Sequence, residues 1–238
     1  MVHLSGVVGT IAAVPAIVAW SCRRVLPLPA ALVLWHVAGA GFAVSLATRS
    51  EWLASRTTWM LGKRADGSIS ALGLLAFAPY HAGLRAKLAL QRRFSSEPAW
   101  NLVAGQLYIG AWPSGPALVP TAQLAVLDVT AELPLQVAPP AYKRIAVWDT
   151  HSPSPAQIDE GVAWSLEQIG AGRGVLTHCA HGHGRSATML GAILIAQGTA
   201  EGVDDAEALM QAARPRVRLN RRQRAALEAW AGGREKAA

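Results

Sequence analysis

The stretch that decides the fold is Val175–Ser186, which reads Val-Leu-Thr-His-Cys-Ala-His-Gly-His-Gly-Arg-Ser. Its first four residues are a short apolar run of the kind that forms a buried strand. Cys179 follows, and after five more residues, two of them glycine, an apolar helix is predicted to begin at Arg185. Glycines let such a loop turn its backbone N–H groups inward, and the helix N-terminus adds unpaired N–H groups and a positive dipole end. The pattern predicts a cradle for a tetrahedral anion, with a thiol at its rim.

The thiol and the arginine of this loop are suited to chemistry at phosphorus. A cysteine at the rim of such a cradle has a lowered pKa, so we expect Cys179 to be a thiolate near neutral pH. The planar guanidinium of Arg185 can bind two phosphate oxygens at once. Together the two groups favour nucleophilic attack on phosphorus through a covalent thiophosphate.

Short apolar runs and helical patterns alternate on both sides of this stretch. Besides 175–178, the predicted strands are Leu107–Ile109, Ala125–Val129 and Arg144–Trp148. The first predicted helix begins at Pro155 and ends at the glycines within 170–174. Three more helices are predicted at Arg185–Gln197, Asp204–Ala213 and Arg221–Ala231. Such alternation predicts an α/β sandwich with a central, largely parallel sheet flanked by helices.

Residues His178–Ser186 resemble the His-Cys-x-x-Gly-x-x-Arg-Ser/Thr signature of the cysteine-dependent protein tyrosine phosphatase superfamily, in its compact dual-specificity branch. The resemblance covers roughly Leu107–Trp230 and includes the Arg214–Asn220 tail before the last helix. It implies a dual-specificity phosphatase-like sheet and a phosphoric monoester hydrolase that needs no cofactor.

The resemblance also implies a role for each residue of the loop. Cys179 would be the nucleophile, and Arg185 would bind the phosphate and stabilise the transition state. Ser186 would donate a hydrogen bond to the sulfur and help it leave, while His178 would support the acidity of the thiol. The residues between them would bind the substrate phosphate: Ala180, His181, Gly182, His183 and Gly184.

The mechanism also requires a general acid, which the family supplies as an aspartate about 30 residues before the cysteine. Asp149 is 30 residues before Cys179 and ends a predicted strand. We therefore assign it this role; the alternative is a turn-forming aspartate beside Thr150. Other acidic residues are too far back or within the first turns of a helix: Asp128, Glu132, Asp159 and Glu160.

The first hundred residues have a different character. The net charge of +7 lies wholly in residues 1–100, which hold ten basic and three acidic residues, so a generally nucleic-acid-binding domain is a poor interpretation. Leu4–Trp20 and Leu28–Ala47 are uncharged and close to the ~20 apolar residues of a membrane span. We predict a hairpin of two transmembrane helices in residues 1–48, a basic juxtamembrane region with an apolar interfacial segment in 49–100, and the phosphatase catalytic domain in 101–238.

Three features of this region have alternatives. The first apolar segment could instead be a cleaved signal peptide, although no Lys or Arg precedes it. Gly67–Leu84 is predicted to lie at the membrane surface or be re-entrant, and the alternative is a third span. Eight basic residues favour contact with anionic lipid on the cytoplasmic side of a bacterial inner membrane, the alternative being a solvated linker: Arg49, Arg56, Lys63, Arg64, Arg85, Lys87, Arg92 and Arg93.

The membrane segments bear on the substrate. Similarity to lipid phosphatases such as phosphatidylglycerophosphate phosphatase favours a phospholipid or a small phosphomonoester, and the alternative is phosphotyrosine, phosphoserine or phosphothreonine on a protein. His181 stands where relatives often have Ala, and His183 where phosphoinositide phosphatases commonly have Lys. These histidines would strengthen the field of the loop as the pH falls, and so favour heavily charged substrates.

Three rival functions are less well supported. A zinc site would need four ligands from one tight loop, and no second Cys/His cluster lies nearby in sequence, so we expect no metal. A rhodanese-like sulfur carrier would need no acid at Asp149. An inactive binding module would not need Cys179, Arg185 and Ser186 together.

Overall fold

The structure is a computed structural model that describes residues 3–121 and 123–235, and the chain divides into two compact units. The helical unit contains the residues up to Gly62 together with Ile69–Ser96. The sheet unit contains Lys63–Ser68 and the residues from Glu97 onward. A short segment from the predicted juxtamembrane region thus belongs to the same unit as the Cys179 loop.

In its described residues, from residue 3 onward, the helical unit contains five helices. They are α1 Leu4–Ser21, α2 Leu28–Ala47, α3 Glu51–Thr57, α4 Ala71–Ala76 and α5 Ala78–Phe94. Within residues 3–121 and 123–235, α1 and α2 are the two helices that are long and apolar enough to cross a membrane. Their bounds agree with the two predicted apolar segments to within one residue.

Helices α1 and α2 pack through small residues and leave their large apolar side chains outside. A Cβ added to Gly41 would lie 2.6 Å from the Cβ of Ala12, so the two backbones approach closely. Ser45 Oγ donates a hydrogen bond of 2.7 Å to the carbonyl of Ser5. By contrast, Ile11 is 63% exposed. Such exposure is consistent with a membrane region, where an apolar surround replaces water.

Within residues 123–235 and the described residues before them, the sheet unit has five strands in the order β1-β2-β5-β3-β4. They are β1 Trp100–Ala104, β2 Leu107–Gly110, β3 Ala125–Asp128, β4 Tyr142–Arg144 and β5 Val175–His178. Strand β1 pairs with β2 antiparallel, and the other pairs are parallel. The predicted α/β fold with a largely parallel sheet is confirmed. Because β5 lies in the centre, its carboxyl end, where Cys179 follows, is enclosed on both sides.

Among the residues that the structure describes, four α-helices flank the sheet: α6 Pro155–Gly170, α7 Arg185–Ala196, α8 Val203–Ala213 and α9 Arg221–Glu235. A capping box between Ser154 and Gln157 starts α6, with Pro155 in the first turn. Every residue of α7 from Arg185 to Leu194 is buried, so this helix is the centre of the core. Burial on all sides fixes the N-terminus of α7 at the end of β5, where the anion cradle was predicted.

Two strands differ from the sequence prediction. Strand β1 was not predicted, because its residues are only partly buried and show no clear alternation. The predicted strand Arg144–Trp148 is instead β4 at Tyr142–Arg144, followed by a buried segment outside the ladder. The apolar run 145–148 correctly indicates burial, since all four side chains are in the core, but it does not indicate pairing with a neighbouring strand.

Candidate active site

The loop after β5 wraps around the Cys179 sulfur. The Cys179 N–H donates to the Gly110 carbonyl of β2 at 3.4 Å. Gly182 has a φ of 78°, and a Cβ added there would lie 2.6 Å from the Gly110 carbonyl oxygen. A glycine is required at this position for both reasons, because L side chains rarely adopt that φ and no space exists for one. The turn at Gly182 is what directs the backbone toward the thiol.

The Cys179 sulfur accepts two hydrogen bonds. The Gly182 N–H and the Ser186 hydroxyl each donate to Sγ, both at 3.3 Å. Burial by itself would raise the pKa of the thiol, but the charge of Arg185 and the hydrogen bonds from Ser186 and the loop backbone outweigh it. The pKa of Cys179 therefore lies below its ordinary value, as the sequence predicted for a nucleophilic thiolate.

The Arg185 guanidinium is held in a fork by Glu132. Nη1 and Nη2 donate to the two carboxylate oxygens at 3.0 and 2.7 Å, and Nη1 also donates to the Val147 carbonyl at 2.7 Å. Nη2 lies 3.1 Å from Asp149 Oδ1. Burial lowers the pKa of Arg185, but the charges of Glu132, Asp149 and Cys179 outweigh it and hold the pKa above its ordinary value. Within the part of the chain that the structure describes, Nε makes no hydrogen bond, so one donor of the fork is left for a ligand.

Asp149 lies on a loop that α9 holds. The Asp149 side chain is one-third exposed and accepts a hydrogen bond from the Thr150 N–H at 3.0 Å. Thr150 has a φ of 66°, which is uncommon for a residue with a branched side chain. Asn220 Nδ2 donates to the Thr150 carbonyl at 2.9 Å, and Gln223 Nε2 donates to the His151 carbonyl at 3.1 Å. Asn220 and the first turn of α9 therefore fix the backbone at the strained residue and at the residue after it.

The rim of the loop carries the two histidines and a second buried arginine. The His181 and His183 rings stack with centroids 5.9 Å apart, and His183 Nε2 lies 2.8 Å from a Glu97 oxygen. Arg214 donates to the His181 carbonyl at 2.9 Å and lies 3.1 Å from Glu97. Burial lowers the pKa of His183, although Glu97 opposes this. The Arg214 tail thus closes the open side of the loop.

His178 lies behind the thiol. Its Nδ1 is 3.3 Å from the Cys179 carbonyl, and its Nε2 is 3.7 Å from Asp128 Oδ2. Burial lowers the pKa of His178, with Lys63 and Arg185 adding to that effect while Asp128 opposes it. The ring is therefore neutral near pH 7.

The structure brings together all the predicted loop residues, and through Arg185 it brings Asp149 to them. Several supporting residues could not be recognised from the sequence. Spacing excluded Glu132 as the general acid, but Glu132 is the main partner of Arg185. Asn220 was noted only as the end of a tail. Among the described residues no group of three or more His, Cys, Asp or Glu could hold a metal ion.

Comparison with known proteins agrees with this geometry. A family model described as "Polymorphic toxin system, DSP-PTPase phosphatase" matches residues 121–199, which include β3, β5 and the whole Cys179 loop. The chain carries a dual-specificity phosphatase domain. Its resemblance to the cysteine-dependent phosphatases and its assignment as a phosphoric monoester hydrolase are thereby confirmed.

Solved structures share the fold of this phosphatase domain. A single-residue variant of human DUSP28 is 21% identical, with a TM-score of 0.54 over 59% of this chain and 99% of that chain. A mouse putative dual specificity phosphatase complexed with zinc tungstate is 22% identical, with a TM-score of 0.53 over 60% and 92%. A mutant form of Tk-PTP is 25% identical, with a TM-score of 0.51 over 59% and 99%. A search of curated proteins gave no significant match.

Proposed function

We propose that the protein is a membrane-anchored phosphatase that hydrolyses phosphomonoesters through a phosphocysteine intermediate. The observation that carries the proposal is the environment of the Cys179 sulfur. It accepts hydrogen bonds from Gly182 and Ser186 inside a loop whose Arg185 is locked by Glu132. Such a site stabilises a thiolate and a phosphoryl group in the same place.

In the first step the Cys179 thiolate attacks phosphorus, forming the S–P bond as the bond from phosphorus to the leaving oxygen breaks. Asp149 gives its proton to that oxygen, so an alcohol leaves and not an alkoxide. Arg185 and the inward N–H groups of the loop bind the equatorial oxygens, whose charge must be stabilised in the transition state.

In the second step water attacks phosphorus, and the S–P bond breaks. The Asp149 carboxylate accepts a proton from the water, which restores the acid for the next cycle. The sulfur leaves as a thiolate, and the Ser186 hydroxyl, 3.3 Å away, donates to it as its charge develops. The products are inorganic phosphate and the free thiolate.

Helices α1 and α2 support the membrane part of the proposal. They are long and apolar enough to cross a membrane, and their large side chains are exposed. We place them as a hairpin in a bacterial inner membrane, with the phosphatase domain in the cytoplasm. Exposed Trp52 and Trp59 suit the headgroup belt, and the 17-residue α5 carries Arg85, Lys87, Arg92 and Arg93 toward anionic lipid.

The favoured substrate is a phospholipid or another small phosphomonoester, because the anchor would hold the site near lipid phosphate. A protein phosphatase acting on phosphotyrosine, phosphoserine or phosphothreonine is the second candidate, favoured by the dual-specificity type of the domain. Phosphate release from vesicles containing a lipid phosphomonoester, compared with release from phosphopeptides, separates the two candidates.

The mechanism is tested with the full chain in detergent. Cys179→Ser should abolish turnover of an aryl phosphate while vanadate binding persists, because the cradle remains and only the nucleophile is lost. Cys22→Ser is the matched control, since it removes the other cysteine of the chain and should leave turnover unchanged. Turnover by Cys179→Ser at the native rate would contradict the proposed nucleophile.

A further inference from the structure

One lysine of the predicted juxtamembrane region lies deep inside the sheet unit. The Lys63 side chain is fully buried, and Nζ donates to Asp128 Oδ2 at 2.5 Å and to the Thr130 carbonyl and hydroxyl at 3.0 and 2.9 Å. All three ammonium hydrogens therefore have an acceptor. Lys63 is not one of the lipid-facing cations expected from its position in sequence.

A tight turn delivers Lys63 to this site. Within Lys63–Ser68, the Arg64 N–H donates to the Ser68 carbonyl at 2.8 Å, and Asp66 accepts from Ser68 N–H and Oγ at 2.9 and 2.7 Å. Gly67 has a φ of 80°, and a Cβ there would lie 2.5 Å from Leu135 Cβ. The turn is thus shaped to fit against the sheet unit.

Two backbone contacts fasten this turn. Arg144 of β4 donates from Nη1 to the Lys63 carbonyl at 2.6 Å, and the Leu135 N–H donates to the Gly67 carbonyl at 2.9 Å. The turn lies well before residue 121, where the family match begins. Lys63 therefore lies outside the residues that the family model matches.

Asp128, at the end of β3, joins Lys63 to the catalytic loop. Its Oδ1 accepts from the Thr130 N–H and hydroxyl at 3.0 and 2.7 Å. Its Oδ2 accepts from the Tyr142 hydroxyl at 2.9 Å and faces His178 Nε2 at 3.7 Å. Burial raises the pKa of Asp128, but the charge of Lys63 and the hydrogen bonds from Lys63 and Thr130 outweigh it, so the carboxyl is ionised.

We propose that Lys63 is a positioning residue of the phosphatase: it keeps Asp128 ionised, and Asp128 holds the neutral His178 ring in place behind Cys179. The inference rests on the proposed role of Cys179 as the nucleophile. It is carried by the chain of contacts from Nζ to Asp128, then to His178, whose Nδ1 lies 3.3 Å from the Cys179 carbonyl.

The charges around this series of contacts explain why a lysine is needed. The charged neighbours of Lys63 are Asp128, Glu132 and Arg144. Asp128 also faces Tyr142 and His178, and His178 also faces Arg185. If the ammonium is removed, the buried carboxylate loses its main positive partner, at high cost because both side chains are fully buried. The nearest group that can replace this charge is His178, by gaining a proton.

The test compares Lys63→Met with Lys143→Met, both in the full chain carrying Cys22→Ser. Lys143 also forms an ion pair, with Glu160, but both side chains are partly exposed. The first readout is the rate of Cys179 alkylation by iodoacetamide against pH. In the parent and in Lys143→Met we expect the alkylation rate to follow one ionisation, that of Cys179. In Lys63→Met we expect a second ionisation, from His178, between about pH 6 and 8.

The second readout is kcat/KM on an aryl phosphate. It should fall about tenfold in Lys63→Met alone, which is within the range of coupling between packed residues. A folded Lys63→Met with the parent's alkylation profile and turnover overturns the inference.

A double variant covers the case in which Lys63→Met does not fold. Asp128→Asn and Lys63→Met/Asp128→Asn should have the same alkylation profile and similar turnover, because Lys63 acts only through the carboxylate. A further tenfold loss in the double variant would overturn the inference. Alkylation requires no turnover, so this result stays separate from a failure of the proposed function, which Cys179→Ser reports.

Discussion

The pair between Glu132 and Arg185 allows a direct test of how Arg185, the proposed phosphate-binding residue, is oriented. Glu132→Gln keeps the shape of the side chain but removes its charge. One amide oxygen can still accept from Arg185, while the amide NH₂ must face a guanidinium N–H and cannot accept. The change therefore disturbs a fork whose two hydrogen bonds are 3.0 and 2.7 Å long and whose partners are both 1% exposed.

The magnitude follows from these contacts. A hydrogen bond between charged groups contributes about 1.5–3 kcal/mol, and removing one partner of a buried pair costs about 3–5 kcal/mol. With one bond retained, we expect a loss of about 2–4 kcal/mol in the free energy of unfolding. At about 2–4 °C per kcal/mol for a domain of this size, Tm should fall by roughly 5–15 °C. If about 1.5–3 kcal/mol of the lost orientation is expressed in the transition state, kcat/KM should fall about 10- to 100-fold.

The assay measures kcat/KM on an aryl phosphate and Tm by circular dichroism for both Glu132→Gln and a control. The control is Glu160→Gln, since the Glu160 side chain is 51% exposed and its pair with Lys143 lies on the surface. We expect the control to match the parent in both measurements, because exposed pairs contribute little. A Glu132→Gln protein whose kcat/KM stays within about threefold of the parent would refute the orienting role.

Two further changes probe the loop that carries the proposed acid. Asp149→Ala should slow hydrolysis of an alkyl phosphate at least about 100-fold but hydrolysis of an activated aryl phosphate far less, because only the alkyl leaving group needs a proton. Equal losses on the two substrates would mean that another residue is the acid. Asn220→Ala removes the 2.9 Å hydrogen bond to the Thr150 carbonyl, so we expect about a fivefold loss on the alkyl phosphate, from ~1 kcal/mol, and almost none on the aryl phosphate. Asp205→Asn, an exposed change on α8, is the control for both, and an Asn220→Ala protein that loses activity equally on the two substrates would contradict the loop-holding role.

The Cys179 loop could be predicted from sequence because the signals that place it are local. Strand β5, the glycine turn and the start of α7 follow one another within 175–196, and each has its own short-range signal. The position of Asp149 followed from a spacing rule of the family. The hydrogen bond by which Asn220 holds the Asp149 loop could not be predicted in this way. It joins residues 70 apart in sequence, and no periodic pattern indicates it.

Lys63 shows most clearly what sequence reasoning could not supply. In sequence, Lys63 cannot be distinguished from the other Arg and Lys residues between 49 and 93. The number of basic residues in this region predicted that Lys63 faces lipid with the others. Lys63 pairs with Asp128 across 65 residues, and the only local hint is Gly67, which permits the turn that delivers it. Burial of a charge depends on its partner, and here the partner is defined only by the folded sheet.

The way Asp149 and Glu132 share Arg185 indicates how phosphate enters the site. Glu132 holds both Nη atoms at 2.7–3.0 Å, whereas Asp149 Oδ1 lies 3.1 Å from Nη2 and the Asp149 side chain is one-third exposed. A phosphate that needs two donors of the fork can take Nε, and it must share or take Nη2. Asp149 is the weaker competitor and is on the solvent side, so we expect the ligand to displace its carboxylate and leave Glu132 in place. Away from the guanidinium, the displaced carboxylate would more readily take up a proton from solvent, and the resulting carboxylic acid would be free to turn toward the leaving oxygen, where the acid is required. Removing this competitor should tighten oxyanion binding, so Asp149→Ala should bind vanadate at least as tightly as the parent enzyme even though it turns over alkyl phosphates more slowly. Weaker vanadate binding by that variant would mean that Asp149 helps to hold the phosphate and does not compete with it.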